Sequence, residues 1–297
     1  MSGGPRPEVE RGRKPRSELG GRGFGLGGLA RLRQLVLIAV IAGVAAGLLL
    51  TGLQRIAVVP IILEAESYES AAGAPAHSHG DEAVGANIAA STHAHDHDHA
   101  AGAAPTHAND GESAIAASDV GVMEEDGGAG RFWLTLLANL VSAAGFGLLL
   151  AAGMSLVAAT GKRIGWRKGL LWGLAGFGAF QLAPALGLPP EIPGAAATEL
   201  AARQGWWIMT AALTALGLGW LAFAPKPWMK ALALVPLALP HLIGAPAPEH
   251  HGGLAPEALA TQFVYATLIT NGLFWLALGG LAGFVHSRFE RREAARD

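Results

Sequence analysis

The chain contains no cysteine, which excludes a disulfide framework and any thiolate metal site. Any metal would have to be held by imidazole, carboxylate or backbone oxygen. Charge is scarce as well: 15% of the 297 residues are Asp, Glu, Lys or Arg, where about a quarter is typical of soluble domains. So little charge cannot cover a water-soluble protein of this length. The 51% hydrophobic content is instead gathered into long uncharged runs, the pattern of a lipid-embedded chain. Catalytic signatures are absent too. Gly161-Lys162 lacks the upstream glycine and following hydroxyl of a phosphate loop, and no H-E-x-x-H or G-x-S-x-G occurs. No enzymatic activity, tightly bound cofactor or nucleic-acid partner is expected.

An apolar helix needs about 20 residues to cross a bilayer, and six stretches meet or approach that length. They are Leu35–Leu53, Phe132–Ala158, Gly169–Leu188, Trp206–Ala224, Trp228–Ala245 and Phe263–Val285. The third and fifth are short and contain proline, so five spans is the alternative count. Trp133, Trp206, Trp207 and Trp228 stand at span ends, where an amphipathic ring favours the headgroup layer. The predicted fold class is thus an all-α integral membrane protein, a bundle of about six transmembrane helices with the lipid bilayer as its first partner. Gly43 with Gly47, and Gly279 with Gly283, have the spacing that lets membrane helices approach closely.

Charge placement predicts the orientation. If all six segments cross and the N-terminus is cytoplasmic, 18 of the 21 Lys and Arg residues lie inside, as the positive-inside rule requires. Only Arg55, Arg131 and Arg203 lie outside, together with 17 of the 23 acids and most histidines. Such a face attracts cations. A multi-pass protein of the cell inner membrane with both termini cytoplasmic is the expectation.

Residues 1–34 are predicted to be a disordered basic cytoplasmic tail, and residues 35–69 the first transmembrane helix with an outer extension. Residues 70–130 read as a disordered outer loop, 131–286 as helices two to six, and 287–297 as a second basic cytoplasmic tail. The outer loop is too poor in large apolar residues to fold alone. It carries His77 and His79, the alternating run His93, His95, His97 and His99 with Asp96 and Asp98 between, and then His107. Alternation on a pliable chain lets several imidazoles converge on one ion while carboxylates offset its charge. Imidazole suits Co, Ni, Cu and Zn ions rather than Mg or Ca. The tract therefore reads as a metal-capturing antenna; a solvated linker with pH-sensitive histidines is the blander reading.

Polar groups inside the membrane are functional candidates by default. Here they are Asn139, Ser142, Gln181, His241, Thr270 and Asn271. Pro184, Pro236 and Pro240 lack an N–H, so the carbonyls of Phe180, Leu232 and Pro236 lose their helical donors, as in the discontinuous helices of transporter sites. Gln181 stands one turn before Pro184, and His241 directly follows Pro240, so both are candidate transit ligands. Glu64, Glu66, Glu191, Glu249, His250 and His251 could line an outer vestibule or simply keep that surface wet.

The stretches VVPIILEAESYE (58–69), TLLANLVSAAGFGLLLAA (135–152), WGLAGFGAFQLAPALGLPPEIPG (172–194), RQGWW (203–207), PHLIGAP (240–246) and FW (274–275) resemble the proposed cobalt transporter subunit family CbtA. The likeness runs from about Leu35 to Phe284. It implies a membrane component of a cobalt uptake system linked to cobalamin supply, working with a small single-span, His-rich partner of the CbtB type. It also implies Glu64, Glu66, Gln181, Glu191 and His241 as ligands, with Arg203 as an orienting charge. Family members are often described with five spans, one fewer than counted here. The expected function is therefore a permease subunit for divalent transition-metal uptake, most simply Co²⁺, with Ni²⁺ or Zn²⁺ as other cargoes. Self-association into a homo-oligomer is a further expectation, and a non-transporting metal sensor or docking scaffold is the alternative.

Overall fold

The computed structural model describes residues 23–73, 128–196, 198–247 and 253–295. The histidine tract from His77 to His107, with Glu249, His250 and His251, lies outside the described residues. All elements but one isolated bridge, Ala195 with Gly253, are helical among the described residues. They are α1 (Gly23–Ala57), α2 (Val59–Gly73), α3 (Ala129–Ala158), α4 (Trp166–Phe177), a π-helical turn (Gly178–Leu182), α5 (Ala183–Ala185), α6 (Leu200–Phe223), α7 (Pro227–Leu232), α8 (Leu234–Ile243) and α9 (Glu257–Ala294).

Each of the six apolar stretches predicted from the sequence is mostly helical. Among the described residues, four helices are long and apolar enough to cross a membrane: Arg31–Ala57, Ala129–Ala158, Leu200–Phe223 and Glu257–Arg292. The two weaker stretches are interrupted, for different reasons. In the third, α4 runs through the π turn into α5 with no non-helical residue between. In the fifth, the break falls at Ala233 and not at a proline. Pro236 would clash with the carbonyl four residues before it, so the chain tightens just ahead. The Ala233 N–H turns back to Lys230 O at 3.1 Å, and Pro236 then sits in the first turn of α8, where a missing donor costs nothing. Likewise α1 yields at Val58, two residues before Pro60, and restarts as α2. Helix α1 also begins at Gly23, so helix reaches back into the segment expected to be a tail. Once nucleated, a helix extends into flanking residues at little cost.

The chain divides into two compact units, and α1, α3, α4 and α9 have residues in both. The first unit comprises residues 1–48, 139–174 and 274–297, and glycine builds it. A Cβ at Gly43 would stand 2.8 Å from Ala144 Cα, and one at Gly147 would stand 3.2 Å from Ala39 Cα, so α1 and α3 touch backbone to backbone. Helices α4 and α9 do the same through Gly165, Gly169, Gly173, Gly279 and Gly283; a Cβ at Gly279 would lie 2.6 Å from Gly173 Cα. Apolar side chains gain little by leaving lipid for protein, so this close packing is what holds such helices together. Trp275, Ile38, Met154 and Leu278 are fully enclosed, and the Phe146 and Trp275 rings meet at 4.8 Å.

The second unit comprises residues 49–138 and 175–273. Val58 and Ala65, Ile192 from the loop after α5, and Leu259 and Phe263 from α9 form its apolar cluster. Helices α6 and α8 pack where a Cβ on Gly217 would stand 2.7 Å from Leu237 Cγ. Of the tryptophans read as interfacial anchors, Trp133 and Trp228 are exposed, but Trp206 is only 6% exposed. It lies over Gly187, whose absent Cβ would meet the indole at 2.5 Å. Trp206 is thus a packing residue, because a glycine in a distant loop leaves room for it.

Candidate functional site

The site begins with Pro184. In a regular helix the Ala183 N–H would bond to Ala179 O; here it bonds to Gly178 O, five residues back. This widened turn moves the ladder past the proline's missing donor. The Ala179 carbonyl loses both helical donors, since Ala183 is committed elsewhere and Pro184 has no N–H. Turns of this kind recur at functional sites.

Gln181 lies within that turn. Its Nε2 donates to Asn271 Oδ1 at 3.2 Å, and Asn271 Nδ2 donates to Thr267 O at 2.9 Å. The amide chain joins the π turn to α9 and leaves Gln181 Oε1 without a hydrogen-bond donor among the described residues. One turn before Asn271, the buried Thr267 Oγ1 also has no partner among the described residues. Thr270, by contrast, is satisfied within its own helix by Ala266 O at 2.8 Å. Neutral oxygens are thus left over on both elements: a freed carbonyl and an amide oxygen on the π turn, and a threonine hydroxyl on α9 one turn before Asn271. Asn271 was visible in the sequence as a polar residue within a span, but its pairing with Gln181 was not. Only the tertiary contact selects it.

The remaining predicted ligands are distributed differently. Glu191 makes an ion pair with Arg203 at 2.8 Å, the side chains 29% and 20% exposed. Arg203 therefore acts on Glu191 directly, and that carboxylate is engaged. Glu66 pairs with Arg131 at 3.1 Å in an exposed setting, where such pairs contribute little. Glu64 is exposed on α2, and its backbone carbonyl accepts from Ser67 Oγ at 2.6 Å. His241 is exposed near the end of α8, edge-on to Trp206 with 6.1 Å between ring centroids. The backbone oxygen beside it, that of Pro240, already accepts from Trp206 Nε1 at 3.4 Å and from the Gly244 N–H at 3.0 Å. No group of three or more His, Cys, Asp or Glu side chains that could hold a metal occurs among the described residues.

The sequence profile of a family described as a probable cobalt transporter subunit, CbtA, matches residues 32–287. The chain belongs to the CbtA family. No curated protein and no solved structure gives a match. Membership makes this CbtA chain a membrane-embedded transporter subunit, which implies a partner, and the family description supports a role in cobalt transport. The matched region holds α2 with Glu64 and Glu66, the π turn with Gln181, the Glu191–Arg203 pair, His241 and Asn271 of this CbtA chain. It also spans the histidine tract outside the described residues.

Proposed function

We propose that this CbtA chain is the membrane permease subunit of a divalent transition-metal uptake system, with Co²⁺ as cargo and Ni²⁺ or Zn²⁺ as weaker competitors. In this reading it lies in the inner membrane with both termini in the cytoplasm, as the distribution of Lys and Arg suggests. The His/Asp tract from His77 to His107 captures the ion outside, and a small His-rich, single-span subunit of the CbtB type assists. The ion then passes the neutral oxygens around the π turn. The observation carrying this reading is the Gln181–Asn271 pair beside a carbonyl freed by Pro184. An unpaired polar group in hydrocarbon is costly, and it is tolerated where it is enclosed by protein or lines a pathway. Neutral oxygens bind a transition ion weakly compared with imidazole, which suits passage and not storage. Glu191 would join the path only when released by Arg203, and His241 would receive the ion as an exposed imidazole.

The test is Co²⁺ uptake into proteoliposomes containing the full chain and a CbtB-type partner. A Gln181→Ala, His241→Ala double variant is expected to lose at least about tenfold in uptake, equivalent to roughly 1.4 kcal/mol. Equal uptake by wild type and variant would remove these residues from the path. Co²⁺ binding without flux under any driving force would favour a sensor or docking scaffold.

A further inference from the structure

The last turns of α9 hold a buried imidazole that the path above does not use. His286 is 3% exposed, although Arg288, Arg291 and Arg292 follow it on the same helix. Its Nε2 stands 3.2 Å from Glu290 Oε1, one turn onward, a spacing that puts both side chains on one helix face. Yet neither ring nitrogen makes a hydrogen bond among the described residues: the carboxylate is within reach but out of line. A buried polar group left unsatisfied is costly, and a divalent transition metal is one partner that an imidazole nitrogen accepts.

The surroundings favour an ion. One turn before His286, Gly283 lies against Gly169, where a Cβ would come within 2.9 Å of Gly169 Cα. That contact draws the segment before α4 to the end of α9. Beside it opens a cavity of about 300 Å³, lined by Arg163, Ile164, Gly165, Ser287, Glu290 and Arg291. Glu290 belongs to both features, touching His286 and facing the cavity. Liquid water occupies about 30 Å³ per molecule, so there is room for an ion with several waters.

We propose that His286 and Glu290 form a second site for the transported divalent transition metal, with the Ser287 hydroxyl and water completing its shell. Imidazole with carboxylate is a ligand set for Co, Ni or Zn ions. Arg163 and Arg291 line the same cavity and lower its affinity by like-charge repulsion. A weak site of this kind holds an ion briefly and lets it go, as the release end of a path requires. The proposal rests on the uptake reading, which puts this end of α9 in the cytoplasm.

The experiment counts Co²⁺ bound to the full chain in detergent micelles by equilibrium dialysis at millimolar Co²⁺. The seven histidines from His77 to His107 are replaced by alanine so that the tract does not contribute. In that background His286→Ala and Glu290→Gln are each expected to lose one bound ion; Glu290→Gln preserves shape and guards against a folding defect. An unchanged count in Glu290→Gln overturns the site, as does a count in which phosphate, and not Co²⁺, depends on these residues. Flux measured in parallel on the wild-type chain keeps the two ideas apart. Flux with no lost ion sinks this site alone, whereas a lost ion without flux leaves the site standing and sinks uptake.

Discussion

Helix α9 carries adjacent glycines in one turn that meet quite different surroundings, and their substitution tests the packing that builds the first unit. At Gly279 an added Cβ would stand 2.6 Å from both the Cα and the N of Gly173, and would also meet Gly169 O. Carbon atoms prefer about 3.5–4.0 Å, so α4 and α9 would have to separate by about an ångström, because backbone cannot rotate aside. At Gly280 the added Cβ would meet only Leu170, with Cδ2 at 3.1 Å and Cγ at 3.8 Å, the end of a side chain that can turn away. Both substitutions to alanine gain the same helix propensity, about 1 kcal/mol in water, so that contribution cancels in the comparison. Overpacking costs about 1–3 kcal/mol, and the backbone contact places Gly279 at the upper end. Gly279→Ala is therefore expected to be less stable than Gly280→Ala by about 2 kcal/mol. Unfolding by SDS in mixed micelles, followed by helical circular dichroism, measures the difference. A gap below about 0.5 kcal/mol, the ordinary scatter between independent sites, would refute the close approach of α4 and α9.

Two further expectations concern the second unit. The Glu191–Arg203 pair is mostly buried, so its worth should lie between that of surface and enclosed pairs. A double-mutant cycle with Glu191→Gln and Arg203→Gln should give a coupling of about 1–2 kcal/mol, the double variant losing less stability than the sum of the two single losses. Additive behaviour would mean that the two charges do not meet. Gly187→Ala should cost about 1–3 kcal/mol, because the new methyl collides with the Trp206 indole. Adding Trp206→Phe should recover part of that loss, and an unrelieved double variant would show that the collision lies elsewhere.

Several features of this chain are legible without coordinates. The spans are, because crossing a bilayer demands a local property, about 20 apolar residues in succession. The weakness of the third and fifth segments is legible too, since Pro184, Pro236 and Pro240 announce lost hydrogen bonds. How the chain absorbs each loss is not. At Pro184 a π turn widens the helix, and ahead of Pro236 the helix breaks at Ala233, because neighbouring elements decide which distortion packs. Gly279 and Gly283 can be read as a contact face, but their partners Gly165, Gly169 and Gly173 stand more than 100 residues away.

The candidate site divides along the same line. Gln181 and His241 stand out because polar groups are rare within apolar runs. Asn271 stands out too, though not its pairing with Gln181, whereas Thr267 and His286 do not: hydroxyls usually satisfy themselves within a helix, and a histidine beside arginines at a helix end reads as surface. Their significance comes from unsatisfied atoms and from neighbours distant in sequence. Composition and local periodicity by themselves determined that this is a helical membrane protein, since lipid imposes its demands on each helix separately. Only the tertiary structure decided which oxygens and imidazoles are left without partners, because a missing hydrogen bond depends on everything packed around it.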